Sequence, residues 1–200
     1  MLLGPLVEIE EHLDSEDTSL RPGRRERTIF LMRLGYPEQG MVFLNGDQVM
    51  RPWMELRTAY IHGCFQASLL IGQSFLENLL GGVADFSDRA AGKPSLRDLL
   101  LVAREEGWLL GSEFGEFEAV AKLRNPYAHY RSFRHSDSLR ARAAATGLDP
   151  DVILQRDCER FLVRLHAFVH RRFSIGRLVV PDEFADLPPI NPDQLEIGSA

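Results

Sequence analysis

The sequence predicts an all-α protein: a four- to five-helix up-and-down bundle with an irregular N-terminal arm and an acidic, Pro-rich C-terminal tail. Apolar residues recur at helical spacing through the central part of the 200-residue chain, and helix start and stop signals bound these stretches. The composition, 44% hydrophobic and 26% charged, is typical of a soluble globular domain that needs no disulfide or metal to fold. We therefore divide the chain into an arm or small subdomain (1–46), a helical bundle (47–178) and an acidic tail (179–200).

The arm has the weakest pattern in the chain. Residues 1–28 change from acidic to basic around Pro22-Gly23, which favours irregular structure with one short helix near 6–13. Two apolar runs, 28–34 and 41–44, are typical of short strands or of extended packing segments.

The first two bundle helices have clear signals. Asp47 or Arg51-Pro52 begins the first one, because proline suits the first turn of a helix. Gly63 marks a joint, after which the same apolar period continues to Gly81-Gly82, where the second helix is expected to stop.

The later helices are bounded by capping residues. Ser95 and Asp98 form a capping-box pattern for a helix over 96–106, and Ser112 caps the next helix, which Pro126 should break or restart. After a loop with a short helix over 132–148, Asp149-Pro150 begins the last long helix, which is expected to end near residue 173.

Several function classes are excluded by what the chain lacks. It contains no glycine-rich phosphate loop and no nucleophile-elbow motif, which argues against a Rossmann enzyme, a P-loop NTPase and an α/β-hydrolase. No apolar run reaches the roughly 18–20 residues of a membrane span. Two cysteines, Cys64 and Cys158, give no disulfide framework, so we expect core thiols and a cytoplasmic protein.

The charge is unevenly distributed. Although the net charge is −6, residues 121–177 carry twelve Lys and Arg against five Asp and Glu, and the chain after residue 177 has no basic residue. A basic segment of this kind can form a phosphate-binding patch within an acidic protein, or can be an ordinary solvated helix face.

The most informative motif lies in this basic segment. It is the run Arg-Asn-Pro-Tyr-Ala-His, from Arg124 to His129, at the end of an amphipathic helix. A histidine near pKa 6.5 can take up or give a proton at neutral pH, and an arginine offers a planar, always charged fork to phosphate oxygens. These groups are suited to catalysing the attack of an RNA 2′-OH on the adjacent phosphate, without a metal or another cofactor.

This motif resembles the R-x4–6-H signature of the HEPN superfamily. The helix over 60–80, with its Leu76-Glu77 pair, and the helix pair over 96–123 are similar to the elements that precede the family's motif, so the resemblance covers roughly 50–173. It implies a homodimer whose two motifs face each other. Many members are metal-independent endoribonucleases of toxin–antitoxin and antiviral defence systems, and others are non-catalytic binding or dimerisation modules.

The resemblance assigns roles to individual residues. Arg124 and His129 would carry the chemistry, and Asn125 would orient His129 or bind phosphate. Glu77 would pair with Arg124 or His129 inside the bundle. On an unbroken helix, residues 124 and 129 point about 140° apart, so a two-fold dimer is expected to bring both types of side chain into one cleft.

The remaining expectations concern RNA and the alternatives. Tyr127 and Tyr130 would stack on bases or pack in the bundle. RNA phosphates would be bound by three basic residues of the segment, Lys122, Arg131 and Arg134. A cognate antitoxin or other partner protein is a further possible partner, and no membrane partner is expected.

Weaker signals have two interpretations each. Arg156, Arg160 and Arg164 would follow an RNA backbone or pair with acids. His166 and His170 would bind a metal, or would simply be stabilised by the helix dipole near the helix C-terminus.

Overall fold

The computed structural model describes residues 3–37, 39–89, 92, 94–128, 135–175 and 177–190, and these contain eight helices and one two-stranded sheet. The all-α class is confirmed, with more helices than the four or five expected. In chain order the elements are α1 (Leu3–Arg33), β1 (Tyr36–Pro37), α2 (Asp47–Ile61), α3 (Phe65–Phe86), α4 (Leu96–Glu105), α5 (Gly111–Ala128), α6 (Leu139–Thr146), α7 (Pro150–Phe173), β2 (Leu178–Val179) and α8 (Asp182–Ala185).

The core forms around α3, which packs against α2, α4, α5 and α7. Six aromatic side chains are almost completely buried there, and burial of each contributes about 1.5–3 kcal/mol or more to folding. They are Trp53, Tyr60, Phe75, Phe117, Phe161 and Phe168. No helix of the described part of the chain is long and apolar enough to cross a membrane.

Most of the N-terminal arm, Leu3–Arg33, is a single long helix, so the prediction of irregular structure with one short helix is wrong there. Helix α1 passes through Pro22, and Asp17 forms an ion pair with Arg24 across it and a second pair with Arg21 just before it. The second half of α1 packs on the bundle: Leu31 is buried, and the Arg27 Nε donates to the carbonyl oxygen of Ile61 over 2.8 Å. These long-range contacts keep residues 28–33 helical rather than extended.

Helix α3 also departs from the prediction, because it continues past Gly81-Gly82 to Phe86. Val83 and Ala84 are buried, so ending the helix earlier would expose them to water. Gly82 has a packing function instead: a Cβ at this position would lie 2.9 Å from the Asn45 Nδ2 atom.

Two of the three capping predictions for the later helices are confirmed, and the prediction for Ser112 is wrong, because α5 already begins at Gly111 and the Leu110 N–H donates to the Glu113 carboxylate. The Ser95 side chain accepts from the Asp98 backbone N–H and the Asp98 carboxylate accepts from the Ser95 N–H, which completes a capping box. The Asp149 side chain accepts from the Asp151 N–H at the start of α7. Pro126 was expected to break or restart its helix, but α5 continues through it to residue 128.

The segment after α7 folds back onto the start of the chain. Strand β2 pairs antiparallel with β1, with Tyr36 opposite Val179, and Met41 forms an isolated bridge with Ser174. The Arg33 Nη2 then donates to the carbonyl oxygen of Pro188 over 2.9 Å. Residues 178–190 therefore lie along the C-terminal end of α1.

Candidate functional site

The Arg-Asn-Pro-Tyr-Ala-His run begins in the last two turns of α5. The backbone of Arg124 and Asn125 is helical there. His129, Tyr130, Arg131 and Arg134 lie outside the described residues. The predicted meeting of Arg124 with His129 therefore stays a prediction.

Tyr127 connects the end of α5 to two other helices. Its hydroxyl donates to the Asp157 Oδ2 of α7 over 3.0 Å. Arg142 of α6 donates to both oxygens of the same carboxylate, over 2.6 and 2.8 Å, and also to the Tyr127 hydroxyl over 3.1 Å. A further bond runs from the Gln66 Nε2 of α3 to the Tyr127 carbonyl oxygen. We call Tyr127, Arg142 and Asp157 the α5 anchor.

The α5 anchor carries no net charge, because the charges of Arg142 and Asp157 compensate each other. Asp157 is only 5% exposed, and it accepts a bidentate pair from Arg142, which is a strong geometry for a carboxylate. Burial and the nearby Asp157 charge raise the pKa of Tyr127, so its phenol stays protonated and donates. The hydrogen bonds to Asp157 raise the pKa of Arg142. Tyr127 thus holds the motif helix in place, in keeping with its packing interpretation.

Two other predicted site residues share one groove. Glu77 of α3 and Lys122 of α5 both line a groove of about 730 Å³ that the start of α4 closes. The Gln73 Nε2 donates to the Glu77 Oε1 over 2.6 Å, and Arg97 pairs with Glu118 along the same groove. Lys122 is exposed there. The predicted pairing of Glu77 with Arg124 or His129 concerns side chains outside the described part.

Several arginines of the basic segment bind groups of their own chain. Arg164, 7% exposed, lies 2.6 Å from the Glu116 carboxylate, which matches the acid-pairing alternative for this position. Arg171 pairs with Glu113, and Arg172 donates to backbone carbonyl oxygens of the loop after α4. The net charge of the segment therefore overstates the positive surface that is open to RNA.

Sequence reasoning missed the anchor residues Asp157 and Arg142. One signal was present: Asp157 lies midway between Ile153 and Phe161, at four-residue spacing, so an acid interrupts the apolar stripe of α7. An acid in such a position is buried and requires a cation or several donors nearby.

The two histidines of α7 form a chain of polar contacts. The His166 Nδ1 lies 3.3 Å from the His170 Nε2, and the His170 Nδ1 lies 3.0 Å from the Ser174 Oγ. His166 is 1% exposed and its ring packs against Trp53 at 4.7 Å. Burial, together with the charge of Arg57, lowers the pKa of His166 well below its usual value and that of His170 to about 4. Both rings are therefore neutral at pH 7.

These shifted histidines predict an acid-sensitive fold. Below about pH 6.5 the unfolded chain takes up a proton that folded His166 does not bind, so the stability contribution of the neutral ring is complete above that pH and is lost as the pH falls. Between pH 7.5 and pH 5.5 the loss should be about 1.4 kcal/mol for His166, with a smaller share from the more exposed His170. Urea unfolding at the two pH values measures it.

The variant that tests this pH dependence is His166→Gln, which should reduce the loss of stability between pH 7.5 and pH 5.5. The same substitution at exposed His12 of α1 is the control. Equal pH dependence in the wild type and His166→Gln would contradict the assignment.

The two cysteines differ in environment. Cys158 is buried, which raises the pKa of its thiol to about 12 and makes it unreactive. Cys64 is exposed between α2 and α3, so its prediction as a core thiol is wrong. Within the described residues no cluster of three His, Cys, Asp or Glu side chains could hold a metal ion.

Comparison with protein-family models, curated proteins and solved structures finds no match to this chain. A functional assignment therefore depends on the motif itself and on the contacts that fix the helix carrying it.

Proposed function

We propose that this protein is a metal-independent endoribonuclease of HEPN type that acts as a homodimer in a defence or toxin–antitoxin context. The observation that carries the proposal is the Arg-Asn-Pro-Tyr-Ala-His run over 124–129, which begins in the last two turns of α5, the helix that the α5 anchor fixes to the bundle. A site that must hold a phosphate precisely enough for proton transfer requires such a fixed support.

The proposed chemistry uses the RNA as its own nucleophile. His129 takes the proton of a 2′-OH, the 2′ oxygen forms a bond to the adjacent phosphorus, and the bond from phosphorus to the 5′ oxygen breaks. A second His129, from the partner copy, gives a proton to the leaving 5′ oxygen. The products are a 2′,3′-cyclic phosphate and a 5′-hydroxyl. Arg124 stabilises the charge that develops on the phosphate oxygens.

The helical path of α5 supports the dimer in this proposal. Because α5 continues through Pro126 to Ala128, residues along it advance by about 100° each. One more residue on the same path would place His129 on a different face from Arg124. A two-fold axis beside the end of α5 would place Arg124 of one copy opposite His129 of the other. Asn125 would then orient His129 or bind phosphate.

RNA contacts would extend from this cleft over the surface next to it. Lys122 is exposed one and a half turns before the end of α5, in the groove that Glu77 also lines. Arg131 and Arg134 follow the motif in sequence and would bind the next phosphates, while Tyr130 would stack on a base.

Cleavage of a labelled structured RNA in EDTA tests the proposal. The wild type should cleave, and Arg124→Ala and His129→Ala should each reduce the rate by about 10²–10⁴-fold, the usual contribution of a general acid–base group or of a fixed charge at phosphate. His135→Ala is the matched control, because His135 is an exposed histidine six positions further on. The products should carry 2′,3′-cyclic phosphate ends.

Cleavage that survives His129→Ala, or that EDTA abolishes, would overturn this assignment. RNA binding without cleavage would instead favour the second candidate, a non-catalytic HEPN-like module that binds RNA or a partner protein. The balanced charges of the groove, with Glu77 and Glu118 facing Arg97 and Lys122, favour that candidate.

A further inference from the structure

A second cavity, of about 480 Å³, lies far from the end of α5 that carries the motif. It is enclosed by the end of α1, the second half of α7 and the segment 178–190. Along α7, which rises about 1.5 Å per residue, His170 lies about 20 Å from Asp157 of the α5 anchor. The proposed ribonuclease chemistry makes no use of this cavity.

Most of the cavity wall is apolar. Val163 and Ala167 of α7 face Leu178, Phe184 and Leu187 across it. The size lies within the range of about 300–1,000 Å³ that small-molecule sites occupy, and such sites combine an apolar wall with a few convergent polar groups.

The polar side chains of this cavity are Arg33, His166 and His170. The His166 Nε2 atom is buried away from the cavity space, and the His166 Nδ1 and both ring nitrogens of His170 contact each other and Ser174. Arg33 is therefore the side chain that can bind a charged ligand, and the two rings contribute to the wall.

The charge around these groups is positive. Arg33 lines the cavity, and Arg57 of α2 is close enough to lower the pKa of both histidines. Within the described part of the chain, no carboxylate pairs with Arg33 or with Arg57. The acids of α8, Asp182 and Glu183, are exposed. An anion is therefore favoured over a cation in this cavity.

We propose that this cavity binds a small amphipathic carboxylate, with its hydrocarbon tail between α7 and α8 and its carboxylate toward Arg33. Arg33 supplies a charged fork for the carboxylate. The C-terminal segment 178–190 acts as the wall that covers the tail of the ligand.

The wall is fixed to the body by several contacts. Strand β2 pairs with β1, and Arg33 donates to the Pro188 carbonyl oxygen. Gly35 lies so close to Leu178 that a Cβ would come within 2.7 Å of the Leu178 Cγ. Ligand and wall therefore share one residue, Arg33, and a ligand should stabilise the folded C-terminal segment as well.

Isothermal titration with decanoate, below its micelle concentration, tests the proposal. The matched probes are decanol, which lacks the charge, and decyltrimethylammonium, which reverses it. Decanoate should bind at least about tenfold more tightly than decanol, since a charge-assisted hydrogen bond contributes about 1.5–3 kcal/mol, and the cation should not bind.

Two tryptophan variants locate the site. Ala167 is exposed on α7 and lines the cavity, so Ala167→Trp should fill the cavity and abolish decanoate binding. Ala145→Trp, at an exposed position of α6, should leave binding unchanged. Arg33→Met should weaken decanoate about tenfold more than it weakens decanol, because decanol loses only the contribution of the Arg33–Pro188 bond to the wall.

Three results would overturn the proposal: no decanoate binding to the wild type, equal binding to Ala167→Trp, or equal affinity for decanoate and decanol. Circular dichroism of each variant shows whether the fold is retained. Loss of RNA cleavage in His129→Ala has no bearing on this cavity, so the two proposals fail independently.

Discussion

Replacing Asp157 by Asn is expected to lower the free energy of unfolding by about 2–3 kcal/mol, because breaking a buried ion pair leaves an uncompensated charge. Asp157 is 5% exposed and accepts three hydrogen bonds, two from Arg142 and one from Tyr127. Asparagine has nearly the same shape but no charge, and its NH₂ group would face the donors of Arg142. The Arg142 side chain is only 20% exposed, so water compensates it in part. Urea unfolding of both proteins measures the difference.

A second acid of α7 provides the control. Asp151→Asn changes an exposed carboxylate in the first turn, where the interaction with the helix dipole contributes about 0.3–1 kcal/mol. Equal losses of stability in Asp157→Asn and Asp151→Asn would show that the buried ion pair contributes no more to the free energy of unfolding than an exposed carboxylate does.

A double variant separates the charge from the packing. Asp157→Leu with Arg142→Met replaces the ion pair by apolar side chains, and such replacements are often neutral or stabilising by about 1–4 kcal/mol relative to the pair. The double variant should therefore be more stable than Asp157→Asn. The Tyr127 hydroxyl would have lost its acceptor, so Tyr127→Phe in the same background should not destabilise the protein further.

The anchor also gives a readout at the motif. Tyr127 lies between Arg124 and His129 in the chain, and its hydroxyl bond is a direct side-chain link from this end of α5 to α7. In Asp157→Asn we expect faster amide hydrogen exchange over 121–128, because local opening now costs less free energy. Unchanged exchange in this stretch, despite a loss of global stability, would show that the anchor does not hold the motif helix.

Local sequence signals predicted those features that a few neighbouring residues decide. The capping box at Ser95 and the Asp149-Pro150 start of α7 both formed as expected, since a cap depends on residues within one turn. Gly63 ends the α2 region at a φ of 78°, a conformation that glycine adopts without strain. The periodic apolar stripes of α3 and α7 also predicted the core.

The errors arose where distant residues decide the local structure. Helix α1 persists through Pro22 because the Asp17–Arg24 ion pair spans it and because Leu31 and Arg27 dock on the bundle. The sequence did not predict the α5 anchor for the same reason. Residues 127, 142 and 157 are each fifteen positions from the next, and they meet only after α6 and α7 pack together. The chemical motif was visible because its residues are adjacent in sequence, whereas its support was not.

Replacement by alanine is expected to have opposite effects on stability at two glycines of α3, Gly72 and Gly81. At Gly72, a Cβ would overlap the Cε1 atom of Phe161 and lie 3.0 Å from its Cζ, and Phe161 is 1% exposed between α3 and α7. Overpacking of this kind costs about 1–3 kcal/mol or more, which exceeds the gain of up to about 1 kcal/mol from replacing a helical glycine by alanine. Gly72→Ala should therefore destabilise the protein by about 1–2 kcal/mol, and the larger Gly72→Val by more.

Gly81→Ala is the matched substitution in the same helix. A Cβ at Gly81 meets no atom within 4 Å, so only the helix propensity changes, and the variant should gain about 0.5–1 kcal/mol. For a chain of this size, 1 kcal/mol corresponds to about 2–4 °C in Tm, so the two alanine variants should move the thermal midpoint in opposite directions by a readily measured amount. A stabilising Gly72→Ala would mean that α3 and α7 do not approach as closely as described. A destabilising Gly81→Ala would mean that α3 ends at Gly81-Gly82 after all.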